Sequence, residues 1–277
     1  MYVSIKFIYK LINYFFYPLK FISSDYRYYF AESTISLIYK ILDKYDFYLK
    51  DRFEFKKKIY NSTLKNYIDY DKIISSLSNF KSTFINNVEI HKRLTDTNDN
   101  FTQISFLIKS VLHQLIEEKI INKNFQIALF NVNYNLIPPK IRNDCEIDVF
   151  SNAWHLDNYS PRLLNFIIYL DDVSEVGGGF QYLDDKEIVK TYKELKFSRW
   201  KKNKFIKELK ILPQTVYGKK GTFCMFNAPN ILHKGAVPED KRRISLTFSL
   251  LPSISKFDFS KLNFKKLLDS HAFKIFF

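Results

Sequence analysis

The chain has 277 residues, of which 46% are hydrophobic and 18% aromatic, and it carries a formal charge of +14. It is therefore long enough to bury a sizeable core, either as one large domain or as a domain with an extension. Two cysteines exclude a disulfide framework and a thiolate metal site. The positive charge is accompanied by no nucleic-acid-recognition motif, so nucleic acid is not an expected partner. So few cysteines fit the reducing cytoplasm, which is the expected location.

The N-terminal stretch, residues 1–20, predicts a basic amphipathic helix. Lys6 and Lys10 share one face, and apolar residues recur at helical spacing until Pro18 ends or kinks the helix. Its longest uncharged run, Leu11–Leu19, is too short to span a bilayer. We expect this helix to pack on the rest of the protein. Peripheral contact with the inner face of a membrane is the second interpretation.

Residues 1–122 are predicted to be a mostly helical region that packs on a core domain. Lys92–Asn100 is polar and is expected to be a loop. The clearest helix spans residues 101–121, where apolar residues recur three and four positions apart. That stripe consists of Ile104, Leu107, Ile108, Val111, Leu115 and Ile116. We expect it to cover a sheet. His91 and His113 are assigned no role.

Residues 123–277 are predicted to form the core domain, because the apolar period changes to two near residue 125. The most informative strand is Leu163–Leu170. Leu164, Phe166 and Ile168 fall on one apolar face, whereas Asn165 and Tyr169 fall on the other. A sheet with helices on one side and a polar pocket on the other would have this asymmetry. Gly177–Gly179 predicts a tight turn, and the charged residues 184–210 are expected to be a surface insertion.

A candidate metal site begins at His155 and Asp157, which lie two positions apart and so share one face of an extended strand. His233 is able to supply a third ligand from another strand. Two imidazoles and one carboxylate form the facial triad of non-haem Fe(II) sites, which leaves coordination positions open. Arg243, ten residues after His233, suits a dicarboxylate co-substrate, because guanidinium binds carboxylate in a bidentate manner.

Together these pieces resemble the Fe(II)/2-oxoglutarate-dependent dioxygenases, and most of all their phytanoyl-CoA dioxygenase-like branch. The resemblance covers roughly residues 125–252. It is carried, in family order, by His155-Leu-Asp157, residues 163–173 (LLNFIIYLDDV), residues 177–180 (GGGF), residues 221–226 (GTFCMF), His233 and residues 243–246 (RISL). The branch usually has Gly-Pro and Gly-Ser-His after the Tyr-Leu strand, where this chain has Gly-Gly-Gly-Phe and Asp184-Asp185-Lys186.

The resemblance implies an α+β protein with a double-stranded β-helix, or jelly-roll, core. It implies that His155, Asp157 and His233 hold Fe(II), and that Arg243, with Tyr169 and Asn165, lies at the 2-oxoglutarate site. O2 would then be used to hydroxylate a small molecule or a lipid- or sugar-linked substrate, with release of succinate and CO2. Asp157 favours hydroxylation over halogenation, since halogenating relatives replace this carboxylate with Ala or Gly.

Strand alternation separates Arg243 from its neighbour Arg242. Arg243 shares a face with Ser245 and Thr247, which suit the wall of a ligand pocket. Arg242 shares its face with apolar residues expected under the helical layer, and should reach solvent at the strand end. We therefore predict that Arg243 is the co-substrate arginine.

Three other interpretations remain open on the residues alone. The histidines could belong to a β-sandwich that binds nothing. The jelly roll could bind a different metal without 2-oxoglutarate, as in a cupin-like isomerase or hydrolase. The basic N-terminal helix could be the working part of a membrane-surface binding module.

Overall fold

A computed structural model of the chain describes residues 53–261, apart from residues 79, 86–87, 95–100, 137–152, 158–161, 196–201, 203–204, 207, 210 and 254–255. The predicted basic helix of residues 1–20, and with it the proposed membrane contact, lies outside the described residues. Among the helices that are described, none has both the length and the apolar character needed to cross a membrane.

The described elements follow one another as strands interrupted by short helical pieces. In chain order they are β1 (Ile59–Thr63), α1 (Tyr70–Ser76), β2 (Phe80–Ile85), β3 (Val88–Leu94), α2 (Phe101–Glu117), β4 (Phe125–Asn135), β5 (Leu164–Tyr169), β6 (Phe180–Leu183), α3 (Lys186–Glu194), β7 (Gln214–Val216), β8 (Thr222–Asn227), β9 (Leu232–Gly235), β10 (Arg243–Pro252) and a 3-10 turn (Phe259–Lys261).

The strands form two antiparallel sheets. The larger sheet has the order β1-β8-β5-β10-β4-β3-β2, and the smaller has the order β7-β6-β9. From β5 onward the chain crosses from the larger sheet to the smaller for β6 and β7, back for β8, over for β9 and back again for β10. This repeated crossing is the winding of a double-stranded β-helix, so the predicted α+β jelly-roll fold is confirmed.

The outer face of the larger sheet is covered by α2, as the sequence predicts. Leu164, Phe166 and Ile168 of β5 are fully buried in one apolar cluster with Leu107 and Val111 of α2. The alternation of β5 places its remaining side chains on the opposite face, toward the smaller sheet. The helix therefore closes one side of the sheet and leaves the other side free to line an interior site.

Phe166 should be a main contributor to the stability of this layer. Its ring stacks on that of Phe248, its register partner on β10, at 4.4 Å between centroids. We expect Phe166→Ala to lower the free energy of unfolding by about 3–5 kcal/mol, because it leaves a cavity in a close-packed core. Phe84→Ala is the matched control, since Phe84 is 59% exposed. Denaturant unfolding of both variants measures the difference, and equal losses would contradict this packing.

The prediction of a mostly helical region is wrong for residues 59–94. Residues 59–94 contain one short helix, α1, and three strands that extend the larger sheet at both edges. β1 pairs with β8, and β3 pairs with β4. Lys92–Leu94 consequently belongs to β3 rather than to a loop. Long-range pairing with the core strands determines the conformation here, and local propensity gives little sign of such pairing.

The segment predicted to be a surface insertion is only partly exposed. Within residues 184–210, α3 buries Ile188, Val189 and Tyr192 against Leu156 and Leu232. The Tyr192 hydroxyl also donates to the carbonyl of Trp154 at 2.5 Å. The helix therefore supports the segment that carries His155 and Asp157. The many charged residues on the outer face of α3 make the segment look fully exposed in its composition. The helical spacing of Ile188, Val189 and Tyr192 is the sequence feature that indicates a buried face.

The predicted glycine turn before β6 has a clear steric basis. Gly178 has φ +72°, and a Cβ added there would lie 2.5 Å from the backbone nitrogen of Pro238. A side chain at this position would therefore face both an unfavourable backbone conformation and a backbone clash. The glycine allows the strand to turn close beside the segment that leads into β10.

Candidate metal and co-substrate site

The backbone brings His155 and His233 side by side. The amide of His155 donates to the carbonyl of His233 at 2.9 Å, and the amide of His233 donates to the carbonyl of His155 at 3.1 Å. This antiparallel bridge places the two ring centroids 4.3 Å apart. The two histidines, 78 positions apart in the sequence, are therefore held together by main-chain hydrogen bonds, independently of their side chains.

The hydrogen bonds of both rings fix which nitrogen is free. Nδ1 of His155 lies 2.8 Å from the carbonyl of Ala153, and Nδ1 of His233 lies 2.8 Å from the carbonyl of Ile231. Because a carbonyl oxygen only accepts hydrogen bonds, Nδ1 carries the proton in each neutral ring. The lone pair then resides on Nε2, which is the arrangement found in metal-binding histidines.

The carboxylate of Asp157 completes a three-residue cluster. Its oxygens lie 3.9 Å from Nε2 of His155 and 3.7 Å from Nε2 of His233. The three potential ligand atoms all fall within 4.8 Å of one another. Two nitrogen donors and one oxygen donor facing a common point fit a single divalent ion. The predicted ligands His155, Asp157 and His233 are thus brought together.

One side of this cluster is accessible. The His233 side chain is only 6% exposed, whereas those of His155 and Asp157 retain 33% and 23%. Phe226 and Phe180 cover the His233 ring at centroid distances of 4.7 and 5.7 Å. A bound ion would therefore be walled by aromatic side chains on one side and open on the other.

The protonation states also suit a cation. Burial, together with the neighbouring His233, lowers the pKa of His155 to about 4, and Asp157 opposes the shift. Burial by itself would raise the pKa of Asp157, but interactions with His233, His155 and Asn165 outweigh it and lower the pKa overall. At neutral pH the site therefore presents an uncharged His155 ring, with its lone pair available, and an ionised carboxylate.

Asp157 is oriented by a chain of hydrogen bonds that reaches β10. The amide nitrogen of Asn165 donates to Oδ2 of Asp157. The amide oxygen of Asn165 accepts a hydrogen bond from the Ser249 hydroxyl at 2.5 Å. Both ends of the Asn165 side chain are thus engaged within the protein. Asn165 was expected to contact the co-substrate, but its geometry assigns it to positioning the Asp157 carboxylate. Ser249, a residue the sequence did not single out, fixes which way the amide points.

Arg243 is buried on the interior face, and Arg242 is exposed, as strand alternation predicts. Arg243 is 6% exposed, together with Ser245 at 4%. The Arg242 guanidinium lies 5.7 Å from the Tyr134 ring centroid on the other side of the sheet. Along one face of β10, polar side chains continue from Arg243 to Ser249, where the chain of hydrogen bonds to Asp157 begins.

The guanidinium of Arg243 has few partners in the part of the chain that the structure describes. One terminal nitrogen donates to the carbonyl of Ala236 at 3.1 Å. No carboxylate of a described residue lies within 4.0 Å of it. Burial lowers its pKa, opposed by a favourable interaction with Tyr169. A buried cation with one neutral partner carries a desolvation penalty that an anionic ligand would offset.

The hydroxyl of Tyr169 is committed to the backbone. It donates to the carbonyl of Val216 at 2.6 Å and accepts from the amide of Phe180 at 2.8 Å. A phenol has a single proton to donate, so Tyr169 cannot donate to a carboxylate while this bond is kept. We therefore assign Tyr169 to joining the two sheets, which differs from the expected co-substrate contact.

His91, to which the sequence analysis assigns no role, is a further interior residue. His91 on β3 faces the interior, where its Nε2 lies 3.1 Å from Oδ1 of Asn133. The polar interior therefore extends beyond the motif region, across β4 to β3. The signal that could have located it is the alternation of polar residues along residues 89–93 and 131–135.

No protein-family model and no curated protein sequence matches the chain. Among solved structures, HygX from Streptomyces hygroscopicus, with nickel, 2-oxoglutarate and hygromycin B bound, has TM-score 0.47 and 12% identity over 72% of this chain and 85% of its own. The epimerase SnoN, in complex with Fe3+, alpha ketoglutarate and nogalamycin RO, has TM-score 0.45 and 11% identity, covering 87% and 90%.

A viral collagen prolyl hydroxylase from Paramecium Bursaria Chlorella virus-1, in its 2OG complex, has TM-score 0.37 and 15% identity, covering 70% of this chain and 96% of its own. Since all three TM-scores are below 0.5, the function proposed below is based on this chain's own residues. The phytanoyl-CoA dioxygenase-like branch stays a prediction.

Proposed function

We propose that the protein is an Fe(II)- and 2-oxoglutarate-dependent dioxygenase that hydroxylates a small-molecule substrate. The observation that carries the proposal is the combination, inside one jelly roll, of the His155–Asp157–His233 cluster with a buried arginine that lacks an acidic partner among the described residues. A jelly roll that binds a metal for other chemistry has no evident use for such an arginine. Membrane-surface binding through residues 1–20 lies outside the described residues and stays a prediction.

The chain's own groups would divide the work as follows. Nε2 of His155, Nε2 of His233 and the Asp157 carboxylate hold the ion, while the Nδ1 hydrogen bonds keep both rings in the required tautomer. Arg243 holds the distal carboxylate of 2-oxoglutarate and so orients its keto-acid end toward the ion. Asn165 and Ser249 keep Asp157 in place. Phe180 and Phe226 exclude water from the His233 side.

When bound, iron and 2-oxoglutarate supply the oxidising chemistry. In the overall reaction, 2-oxoglutarate, O2 and a substrate C–H group give succinate, CO2 and a C–OH group, with one oxygen atom entering each of succinate and product. The protein contributes orientation and a sheltered pocket, and its three ligand residues would hold the ion while leaving part of its coordination open.

The test of this function is conversion of 2-oxoglutarate to succinate by the full chain with Fe(II) in air, with metabolite pools added as candidate substrates. We expect slow succinate formation without substrate and faster formation with the correct pool. Chelation of the metal should stop both. Failure to bind or convert 2-oxoglutarate in the presence of Fe(II) would refute the proposal.

The orienting role of Asn165 gives a separate prediction. We expect Asn165→Ala to weaken Mn(II) binding by about 10–100-fold, the usual effect of removing a group that positions a metal ligand. Competition with a coloured chelator measures the affinity, and a thermal melt verifies folding. Asn230→Ala is the matched control, because the Asn230 side chain bonds to Asn227 and Lys193 rather than to any of the three ligands. Equal Mn(II) affinity of wild type and Asn165→Ala would contradict the role.

A further inference from the structure

A second basic side chain faces the interior beside the candidate site. Arg93 lies on β3, next to Asn133 of β4 in register, and Asn133 in turn lies next to Ser245 of β10. Val132, between the asparagines of β4, packs in the cluster under α2. Alternation therefore directs Asn131 and Asn133, and with them Arg93, to the interior face that also carries Arg243.

The contacts of Arg93 aim its guanidinium along this face. Its Nε donates to Oδ1 of Asn131 at 2.7 Å. Asn133 donates to the Thr247 hydroxyl at 3.3 Å, which ties the β4 asparagines to β10. Nε is thus occupied, whereas the two terminal nitrogens of Arg93 donate to no described residue. A planar pair of donors of this kind matches the two oxygens of a carboxylate or phosphate.

The wall around Arg93 is positive, and no described acid balances it. Among described residues, no carboxylate lies within 4.0 Å of Arg93. Burial lowers the pKa of Arg93. Burial also lowers the pKa of His91, and the positive charges of Arg93 and Arg243 lower it further, so His91 lies near both arginines. An interior wall whose two arginines have no described carboxylate within 4.0 Å suits more than one anionic group.

We infer that the substrate carries an oxyanion, a carboxylate or a phosphate, and that Arg93 binds it through its two terminal nitrogens while Asn131 holds the guanidinium in place. The inference rests on the proposed function, because Arg243 is taken by the distal carboxylate of 2-oxoglutarate and only then is Arg93 left for the substrate. A neutral sugar or lipid chain would leave this partly buried guanidinium without an anion.

The test is anion binding to the full chain loaded with Mn(II) and saturating 2-oxoglutarate, so that Arg243 is occupied and no turnover occurs. Inorganic phosphate and acetate are titrated separately by calorimetry at about 0.15 M ionic strength, which screens the positive surface. We expect one of the two anions to bind at one per chain. Stronger binding of phosphate would indicate a phosphorylated substrate, and stronger binding of acetate a carboxylic acid.

Arg93→Gln should weaken that binding at least about tenfold, the scale of a lost charge-assisted hydrogen bond. Lys92→Gln is the matched control, since Lys92 is the preceding residue of the same strand, carries the same charge and pairs with Glu89. It should bind the anion as wild type does. The affinity of both variants for 2-oxoglutarate should be unchanged. A folding defect would weaken 2-oxoglutarate binding as well, so this measurement separates the two causes.

Equal weakening by Arg93→Gln and Lys92→Gln, or no binding of either anion to wild type, would overturn the inference while leaving the 2-oxoglutarate site intact. If wild type with Mn(II) fails to bind 2-oxoglutarate, the proposed function fails, and the assignment of the anion to a substrate fails with it. Should Arg93→Gln not fold, Arg93→Lys takes its place. If Arg93→Lys binds the anion more weakly than wild type, the result supports binding by the two terminal nitrogens of the guanidinium. Equal binding by Arg93→Lys and wild type overturns the inference.

Discussion

Asp157→Ala is expected to abolish 2-oxoglutarate turnover and to weaken Fe(II) or Mn(II) binding by more than about 100-fold, beyond the usual effect of removing an outer-shell partner. The carboxylate is the one anionic group in the three-residue cluster, so its loss leaves two neutral imidazoles to hold a divalent cation. The fold should persist, because the Asp157 amide still donates to the carbonyl of Ala228. Succinate assays and metal titration measure the two effects.

The control for this substitution is Asp184→Ala, which removes an exposed carboxylate near the start of α3. It should retain wild-type activity and metal affinity. Two results would contradict the assignment: turnover by Asp157→Ala at a rate near that of wild type, or wild-type turnover that survives removal of metal by a chelator. A melting temperature close to wild type for Asp157→Ala excludes unfolding as the cause.

Arg243→Ala is expected to raise the concentration of 2-oxoglutarate needed for half-maximal turnover by at least about tenfold, corresponding to ~1.5–3 kcal/mol for a lost charge-assisted hydrogen bond. The substitution removes a buried guanidinium that has one carbonyl partner in the described structure. No ion pair with a described residue is lost with it, so the effect should fall on co-substrate binding more than on stability.

Arg242→Ala provides the comparison, because it removes the same charge one residue earlier on the opposite, exposed face. It should change the 2-oxoglutarate requirement less than about twofold, as expected for a surface charge in salt. Titration of 2-oxoglutarate against both variants separates them. A larger effect of Arg242→Ala than of Arg243→Ala would mean that Arg242 lies on the interior face of β10 and binds the co-substrate.

The sequence predicts the layers around β5 and β10 well, because each of these strands separates apolar from polar residues with a period of two. Phe166 and Phe248 meet under α2 as that pattern requires, and Arg243 turns inward while Arg242 does not. The stripe of α2 separates apolar from polar residues in the same way, at a spacing of three and four positions. Where one face of an element is consistently apolar, burial alone determines its orientation.

The edge strands and the hydrogen bonds inside the site could not be predicted in the same way. β3 carries His91 and Arg93 inward and places Lys92 between them on its other face, so charged or polar residues occur on both faces and only the alternation of polar residues marks it as a strand. The roles of Asn165 and Tyr169 depend on partners distant in sequence: Ser249 lies 84 residues from Asn165, and Val216 lies 47 residues from Tyr169. Such pairings are determined by sheet register, which single-sequence patterns do not specify.

The most direct test of the central claim is a crystal structure of the full chain grown without oxygen in the presence of Fe(II) and 2-oxoglutarate, with diffraction data collected on both sides of the iron absorption edge. We predict one anomalous peak bounded by Nε2 of His155, Nε2 of His233 and the Asp157 carboxylate, with 2-oxoglutarate reaching from the ion to the guanidinium of Arg243. Iron bound elsewhere, or 2-oxoglutarate with its distal carboxylate away from Arg243, would contradict the proposed site.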